Sequence, residues 1–214
     1  MSQFIKLPSS IRMPPVIALS VILLVLVVST SMAQATRDQE GKRSGSTRAS
    51  KRLMKEYREV QETDSYKNGV FTVELVDDNI YKWHVKLYRL AENSAINRDL
   101  QKAKERGEKG HILLEILYGD NYPLSPPFVR VVYPNIYSSA MIGHGGIFCS
   151  QLLTEKGWSS SYTIEPLILQ LSATLVEGVY HSIDFKEPNY TYEQAQRRFK
   201  FLEINERWSM PDTS

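Results

Sequence analysis

The proline-rich segment from Tyr122 to Pro127 restricts the fold more than any other feature of the sequence. It reads Tyr-Pro-Leu-Ser-Pro-Pro and lies between apolar runs at residues 111–118 and 128–132, which are typical of buried strands. Proline fixes φ and lacks the backbone N–H, so the segment excludes both a helix and a regular strand. We therefore predict two strands joined by an extended, irregular turn.

Hydrophobic spacing predicts the remaining elements. Apolar residues that recur every three or four positions indicate helices, and strict alternation on both sides of Asp77-Asp78-Asn79 indicates a two-stranded hairpin. The predicted helices cover residues 49–62, 92–110, 163–178 and 189–202, and the hairpin strands cover residues 71–75 and 83–87. The order of a helix, four strands, an irregular loop and further helices indicates an α+β architecture.

The first part of the chain differs from the rest in composition. Residues 13–36 carry no charge and contain a long run of Val, Ile and Leu. Such a run fits a membrane anchor, because about 20 apolar residues span a bilayer. It also fits a cleaved secretory signal that ends at Ala33-Gln34-Ala35. A third interpretation is that the natural product starts at Met32 or Met54.

These patterns divide the chain into three predicted parts. Residues 1–35 form the signal or membrane-anchor segment, residues 36–48 form a flexible polar linker, and residues 49–214 form the folded domain. More Lys and Arg residues follow the apolar run than precede it, which places the folded domain in the cytosol if the run is an anchor. A cleaved signal would instead imply secretion.

Charge and cysteine content exclude several classes of function. The formal net charge of +2 is nearly balanced, so we expect no nucleic-acid partner. One cysteine excludes an internal disulfide, and one cysteine with four histidines disfavours a structural metal site. From residue type alone, Cys149 is either a small apolar core residue or a thiol nucleophile.

A series of motifs follows the proline-rich segment in a fixed order. The motifs are Tyr133-Pro134-Asn135, Cys149, Trp158-Ser159 and Thr163-Ile164. Together with Tyr122-Pro123 and Pro126-Pro127, this series resembles the ubiquitin-conjugating enzyme family, and it is most similar to the Q-type branch. The resemblance covers the chain from about residue 49 onward. It implies the ubiquitin-conjugating fold, with an N-terminal helix, a four-stranded antiparallel meander, an active-site loop and C-terminal helices.

The resemblance also implies a chemistry. Cys149 would accept ubiquitin from the activating enzyme as a thioester and pass it to a lysine or another nucleophile of a protein substrate, usually with a ubiquitin ligase. A thiolate suits this exchange because it is both a strong nucleophile and a good leaving group. Gly145 and Gly146 would allow the ubiquitin tail to approach closely. The enzyme would need no cofactor of its own, since the activating enzyme consumes the ATP.

Two further residues receive roles from the same resemblance. The amide of Asn135 would support the loop or donate to the oxyanion formed during amine attack, although an asparagine there also fits a simple turn residue. His181 lies near the position where many family members carry an acid that deprotonates the incoming lysine, and it can accept a proton near neutral pH. A surface loop histidine is more often inert. His144 would serve instead in a Cys-His hydrolase.

The family also suggests where partners bind. The first helix would dock the activating enzyme, and the proline-rich loop and the loop near Trp158 would receive the ligase. The corresponding residues are Lys51, Arg52, Lys55, Tyr122, Pro126, Trp158 and Ser159. The basic residues also fit an ordinary solvated helix face, and packing is the favoured role of Trp158. A catalytically weak ubiquitin-binding scaffold is the alternative function.

Overall fold

The computed structural model describes residues 47–138, 142–177, 180–186 and 188–206. The chain divides into the units Met1–Ser44 and Gly45–Ser214, and all described residues belong to the second unit. The apolar segment at residues 13–36 and most of the predicted linker lie outside the described residues. Within the described ranges, no helix has the length and apolar character needed to cross a bilayer.

The helices and strands follow the predicted order. The helices are α1 (47–62), α2 (Asp64–Lys67), α3 (Ala95–Glu105), α4 (Ile164–Glu177) and α5 (Tyr192–Glu206). The strands are β1 (Phe71–Val76), β2 (Asn79–Leu87), β3 (Ile112–Leu117), β4 (Phe128–Tyr133), β5 (Asn135–Ser138) and β6 (Tyr180–Asp184). Short 3-10 turns cover His144–Gly146 and Gln151–Leu153.

Strands β1 to β4 form an antiparallel meander in the order β1-β2-β3-β4, which confirms the predicted fold class. Asp77 and Asp78 turn the chain between β1 and β2 with φ of 53° and 56°. Positive φ at both central residues is the geometry of a tight hairpin turn, and aspartate tolerates it better than most side chains. β4 is an edge strand, and this edge carries the active-site loop.

The two faces of the meander are covered differently. One face builds the main core, in which Trp83, Leu114 and Ile116 pack with residues of α1 and α4. On the opposite face a second cluster joins the end of the sheet to α5; it contains Leu117, Phe128, Ile147, Ala195 and Phe199. Alternation along each strand produces this division, because successive side chains point to opposite faces.

A second, two-stranded sheet was not predicted from the sequence. β5 pairs with β6 in antiparallel register, from Asn135 opposite Asp184 to Ser138 opposite Tyr180. Helix α3, the predicted insertion, begins after Ser94, whose side chain accepts a hydrogen bond from the Asn97 N–H. It buries Ile96, Leu100 and Ala103 and contacts β6 and α4. The insertion therefore supports the small sheet beside the active-site loop.

Candidate active site

Cys149 lies directly after a segment that is attached to the edge strand β4. The Phe148 N–H donates to the Val129 carbonyl at 3.1 Å, and Ile147 forms a bridge with Arg130. The side chains of Ile147 and Phe148 are fully buried, whereas Cys149 is only partly buried. The chain thus anchors two apolar residues in the interior and leaves the thiol at the surface. This placement favours the nucleophile over the core cysteine.

The loop before Cys149 turns back on itself. Gly143 N–H donates to the Ile147 carbonyl at 2.9 Å, and Gly146 N–H donates to the Gly143 carbonyl at 3.0 Å. Ile142 forms a bridge with Phe148, which closes the loop. A Cβ atom added to Gly143 would lie 3.6 Å from the sulfur of Cys149. The loop is therefore folded tightly against the thiol.

Gly145 and Gly146 are buried at the tip of this loop with φ of 77° and 78°. A Cβ at Gly145 would lie 2.4 Å from the Ala195 nitrogen, and a Cβ at Gly146 would lie 2.1 Å from the Val131 carbonyl oxygen. Positive φ and these close backbone approaches both require glycine. Packing against α5 and β4 accounts for both glycines, and contact with the ubiquitin tail stays a prediction.

Residues 188–195 cross over the loop, and we call this segment the strap. Tyr190 is its central attachment: its N–H donates to the Val132 carbonyl at 3.2 Å, and its carbonyl accepts from Nη1 of Arg130 at 2.8 Å. The Tyr190 ring also lies 2.8 Å from the position of a Cβ at Gly146. The strap therefore holds the tip of the active-site loop against the sheet.

Asn135 is buried at the start of β5, with 8% of its surface exposed. Its Nδ2 donates to the Pro188 carbonyl at 3.1 Å, at the beginning of the strap. Among the described residues its Oδ1 has no hydrogen-bond partner although it is buried. The amide therefore joins β5 to the strap, as expected for the loop-supporting role. Donation to an oxyanion stays a prediction.

Arg130 and Glu115 form a buried ion pair that the sequence analysis did not identify. Nε of Arg130 donates to Oε1 of Glu115 at 2.7 Å, and the two residues are 5% and 3% exposed. Burial raises the pKa of Glu115, but His84, Arg130 and Lys82 together lower it to about 2. Two charged residues inside otherwise apolar strands were the available signal, because buried charges are nearly always paired.

Arg130 also links the sheet to the strap. Besides its contact with the Tyr190 carbonyl, its guanidinium lies 5.9 Å from the centre of the Tyr192 ring. The opposite side of Glu115 is occupied by Lys82 at 3.2 Å and His84 at 3.7 Å. The guanidinium therefore spans from a fixed carboxylate to the segment that covers the active-site loop.

The predicted ligase-binding loop places its residues differently from the expectation. Tyr122 and Pro126 are buried, and the Tyr122 hydroxyl donates to Oε2 of Glu56 at 2.7 Å. Burial raises the pKa of Glu56, and the hydrogen bonds from Tyr122 and Arg52 oppose this effect. Both loop residues therefore pack against the domain. Leu124, with 70% of its surface exposed, is the side chain that this loop presents to solvent.

Trp158 connects the two predicted ligase loops. Its indole N–H donates to the Pro123 carbonyl at 2.7 Å, and its ring packs edge-on against Tyr162. The packing role predicted for Trp158 agrees with these contacts. Ser159 is half-buried and shares a hydrogen bond of 2.8 Å with the Ser161 hydroxyl. A ligase contact at either residue stays a prediction.

The predicted docking residues of α1 are not equivalent. Lys51 and Lys55 are exposed, and Lys55 lies 3.6 Å from Glu59. Arg52 is half-buried, pairs with Glu56, and donates through Nη2 to the Tyr162 carbonyl at 3.0 Å. It therefore ties the first helix to the loop after Trp158, whereas the two lysines remain accessible to a partner.

The two histidines also differ. The backbone of His181 belongs to β6, and its side chain lies outside what the structure describes. His144 is exposed in the 3-10 turn of the active-site loop. In the described ranges, no group of three or more His, Cys, Asp or Glu side chains could hold a metal ion.

Comparisons with known proteins follow the same direction as the site. No protein-family model matches the chain. The chain is 44% identical over 172 residues to ubiquitin-conjugating enzyme E2 Q1 of Homo sapiens, which covers 78% of this chain and 40% of that protein. It is 32% identical over 148 residues to the human ubiquitin-conjugating enzyme E2 Q-like protein 1, covering 68% of this chain and 89% of that protein. A solved structure of human ubiquitin-conjugating enzyme E2 G1 aligns with a TM-score of 0.49 at 19% identity, over 61% of this chain and 96% of that one.

The chain belongs to the ubiquitin-conjugating enzyme family, and its curated relatives at 41% to 44% identity are of the Q type. It spans about 40% of the length of the E2 Q1 proteins that it matches. The α+β fold with a four-stranded antiparallel meander agrees with this assignment.

Proposed function

We propose that Cys149 accepts ubiquitin from an activating enzyme and transfers it to an amine. In the first step the Cys149 thiolate attacks the thioester carbonyl of the activating enzyme, a new carbon–sulfur bond forms, and the activating enzyme's thiolate leaves. In the second step an amine attacks the new thioester, an amide forms, and the Cys149 thiolate leaves while the amine proton passes to a base. The partly exposed thiol between fully buried neighbours is the observation that supports this proposal.

The surroundings of Cys149 suggest how the second step is assisted. Amine attack creates an oxyanion, and a fixed N–H donor lowers the energy of that transition state. Asn135 is the predicted donor, acting together with its contact to the strap. His181 is the predicted proton acceptor, because β6 pairs with β5 and brings its backbone beside the segment that contains Asn135.

Two accessible surfaces would receive the partners. Lys51 and Lys55 on α1 would contact the activating enzyme, since both are exposed on one helix. The ligase would contact Leu124 and the neighbouring loop from Trp158 to Ser159. Because the Trp158 indole bonds to the Pro123 carbonyl, the two loops form one continuous surface.

A catalytically weak ubiquitin-binding scaffold is the second candidate. The observation that favours it is the Asn135 amide, which is already bonded to the Pro188 carbonyl. An amide held by its own protein stabilises an oxyanion less well than one directed at the substrate. The scaffold would bind ubiquitin and a ligase yet release little ubiquitin from Cys149.

We further propose that residues 13–36 anchor the catalytic domain to a membrane on its cytosolic side, where ubiquitin and ATP are present. Protease protection of microsomes that contain the full chain tests this arrangement. Digestion of the domain without detergent is the expected result. Protection of the domain, or a mature chain that starts after Ala35, would contradict it.

A thioester assay tests the central proposal. The chain is incubated with ubiquitin, activating enzyme and ATP, and the products are separated with and without reducing agent. The wild type should form an adduct that dithiothreitol removes, Cys149→Ala should form none, and Cys149→Ser should at best form a slow adduct that resists dithiothreitol. No adduct with the wild type, or an equal adduct with Cys149→Ala, would reject the proposal.

A further inference from the structure

A cavity of about 400 Å³ lies between the active-site loop and helix α5. It is outside the ion pair and the strap contacts described above. Its described lining residues are His144, Gly145, Tyr190, Gln194, Arg197 and Arg198. The loop provides one wall through His144 and Gly145, and the first two turns of α5 provide the other.

The cavity is basic. Arg197 and Arg198 keep their charge at any physiological pH, and the Gln194 amide adds two N–H donors. Among the described residues that line the cavity, none carries a carboxylate. Glu193 stands one turn before Arg197, but its own backbone N–H and the Thr191 side chain bond to its carboxylate and lower its pKa. That carboxylate therefore caps the helix start and is not part of the cavity wall.

The cavity is also close to the thiol along the chain. Gly145 lines the cavity and precedes Cys149 by four residues, which span at most about 14 Å even when fully extended. The loop is folded back, since Gly143 lies against the Cys149 sulfur. An extended acceptor peptide with its lysine at Cys149 would therefore reach the cavity with a residue within about four positions of that lysine.

We propose that this cavity binds acidic side chains of the acceptor protein, close in sequence to the lysine that receives ubiquitin. The two arginines and the glutamine amide would bond to the carboxylates, because guanidinium groups and carboxylates match in geometry. The inference rests on the proposed transfer from Cys149 for its biological meaning. The binding itself does not require the thioester.

Peptide binding tests the site directly on the uncharged chain. The probe is a fluorescein-labelled peptide with one lysine followed by three glutamates, compared with the same peptide carrying three glutamines, and the readout is fluorescence anisotropy. The glutamate peptide should bind about tenfold more tightly at low salt, as two favourable exposed ion pairs together would produce. The difference should disappear at about 0.5 M salt, where such pairs are screened. Equal affinities at low salt would overturn the proposal.

Matched variants separate the cavity from net charge. Arg197→Gln/Arg198→Gln should remove the preference, and Arg197→Lys/Arg198→Lys should retain part of it. Lys102→Gln/Lys104→Gln makes the same charge change on α3, outside the cavity lining, and should leave the preference intact. Equal losses in the two glutamine variants would show a general charge effect and reject the site. Unchanged thermal unfolding of each variant confirms its folding.

A discharge assay distinguishes this inference from the proposed function. Charged enzyme is mixed with either peptide or with free lysine, and loss of the thioester is followed. Preference for the glutamate peptide that Arg197→Gln/Arg198→Gln abolishes, with unchanged discharge to free lysine, is the expected result. Normal charging with equal rates for both peptides would reject the acidic-acceptor site alone. A wild type that never charges would reject the proposed function, and the anisotropy result would then decide the site.

Discussion

Removal of Arg130 offers the sharpest test of how the sheet supports the active-site loop. Arg130→Met deletes the guanidinium that pairs with Glu115 and bonds to the Tyr190 carbonyl, while it keeps an apolar side chain of similar length. Glu115, 3% exposed, would then keep a buried charge without its principal partner. Removing one member of a buried ion pair typically costs 3–5 kcal/mol, so a cost of about 3 kcal/mol is expected here.

The depressed pKa of Glu115 gives an independent value. Its fall from an ordinary value of 4.5 to about 2 corresponds to roughly 3 kcal/mol at about 1.4 kcal/mol per pH unit. Because the folded-state pKa is lowered, this stabilisation is complete above about pH 4.5 and is lost as the pH falls toward about 2. The stability difference between wild type and Arg130→Met should therefore be largest at neutral pH and shrink below pH 4.5.

Urea unfolding of four proteins measures these quantities. They are the wild type, Arg130→Met, Glu115→Gln and the double variant, and the double variant should lose less stability than the sum of the single changes. Thioester discharge is measured on the same proteins. Glu115→Gln keeps the strap contact, whereas both Arg130 variants lose it and should discharge more slowly. A cost below about 1 kcal/mol for Arg130→Met, or a cost that does not change between pH 7 and pH 3, would refute the reasoning.

Three other predictions concern the loop and its neighbours. Asn135→Ala should charge normally but discharge to lysine about 100-fold more slowly, because the donor acts on the oxyanion of amine attack; normal discharge by the folded variant would remove Asn135 from the chemistry. Gly145→Ala should lower the free energy of unfolding by about 3 kcal/mol, since its Cβ collides with the Ala195 nitrogen. Gly69→Ala, at φ of 67° with open space around it, is the matched control and should lose only about 1 kcal/mol; equal losses would exclude the collision. His181→Ala should slow discharge increasingly as the pH falls while charging stays intact, and equal rates of wild type and variant from about pH 6 to 9 would exclude His181 as the base.

Local patterns in the sequence predicted most of the fold. The helices, the hairpin and the strands around the proline-rich segment each carry a hydrophobic period or a turn signal within a few residues. The β5–β6 pair carries neither. Its two strands are short and far apart in the chain, and their pairing depends on tertiary contacts with α3 and β4 that no local pattern encodes.

The candidate site was predicted less completely than the fold. The motif series identified Cys149, and the structure adds that the thiol is at the surface while its neighbours are buried. The sequence could not show that Tyr122 bonds to Glu56, because the two residues are 66 positions apart and meet only in the folded domain. The same holds for the strap, whose contacts with Gly146 and Arg130 depend on where α5 packs.

A pulse-chase measurement tests the central claim most directly. The chain is charged with labelled ubiquitin, ATP is removed, and lysine is added while both the Cys149 thioester and the ubiquitin–lysine product are quantified over time. The account predicts that the product forms at the rate at which the thioester disappears, and that neither species forms with Cys149→Ala. A thioester that persists unchanged in the presence of lysine, or that yields only hydrolysed ubiquitin, would contradict the account and support the scaffold.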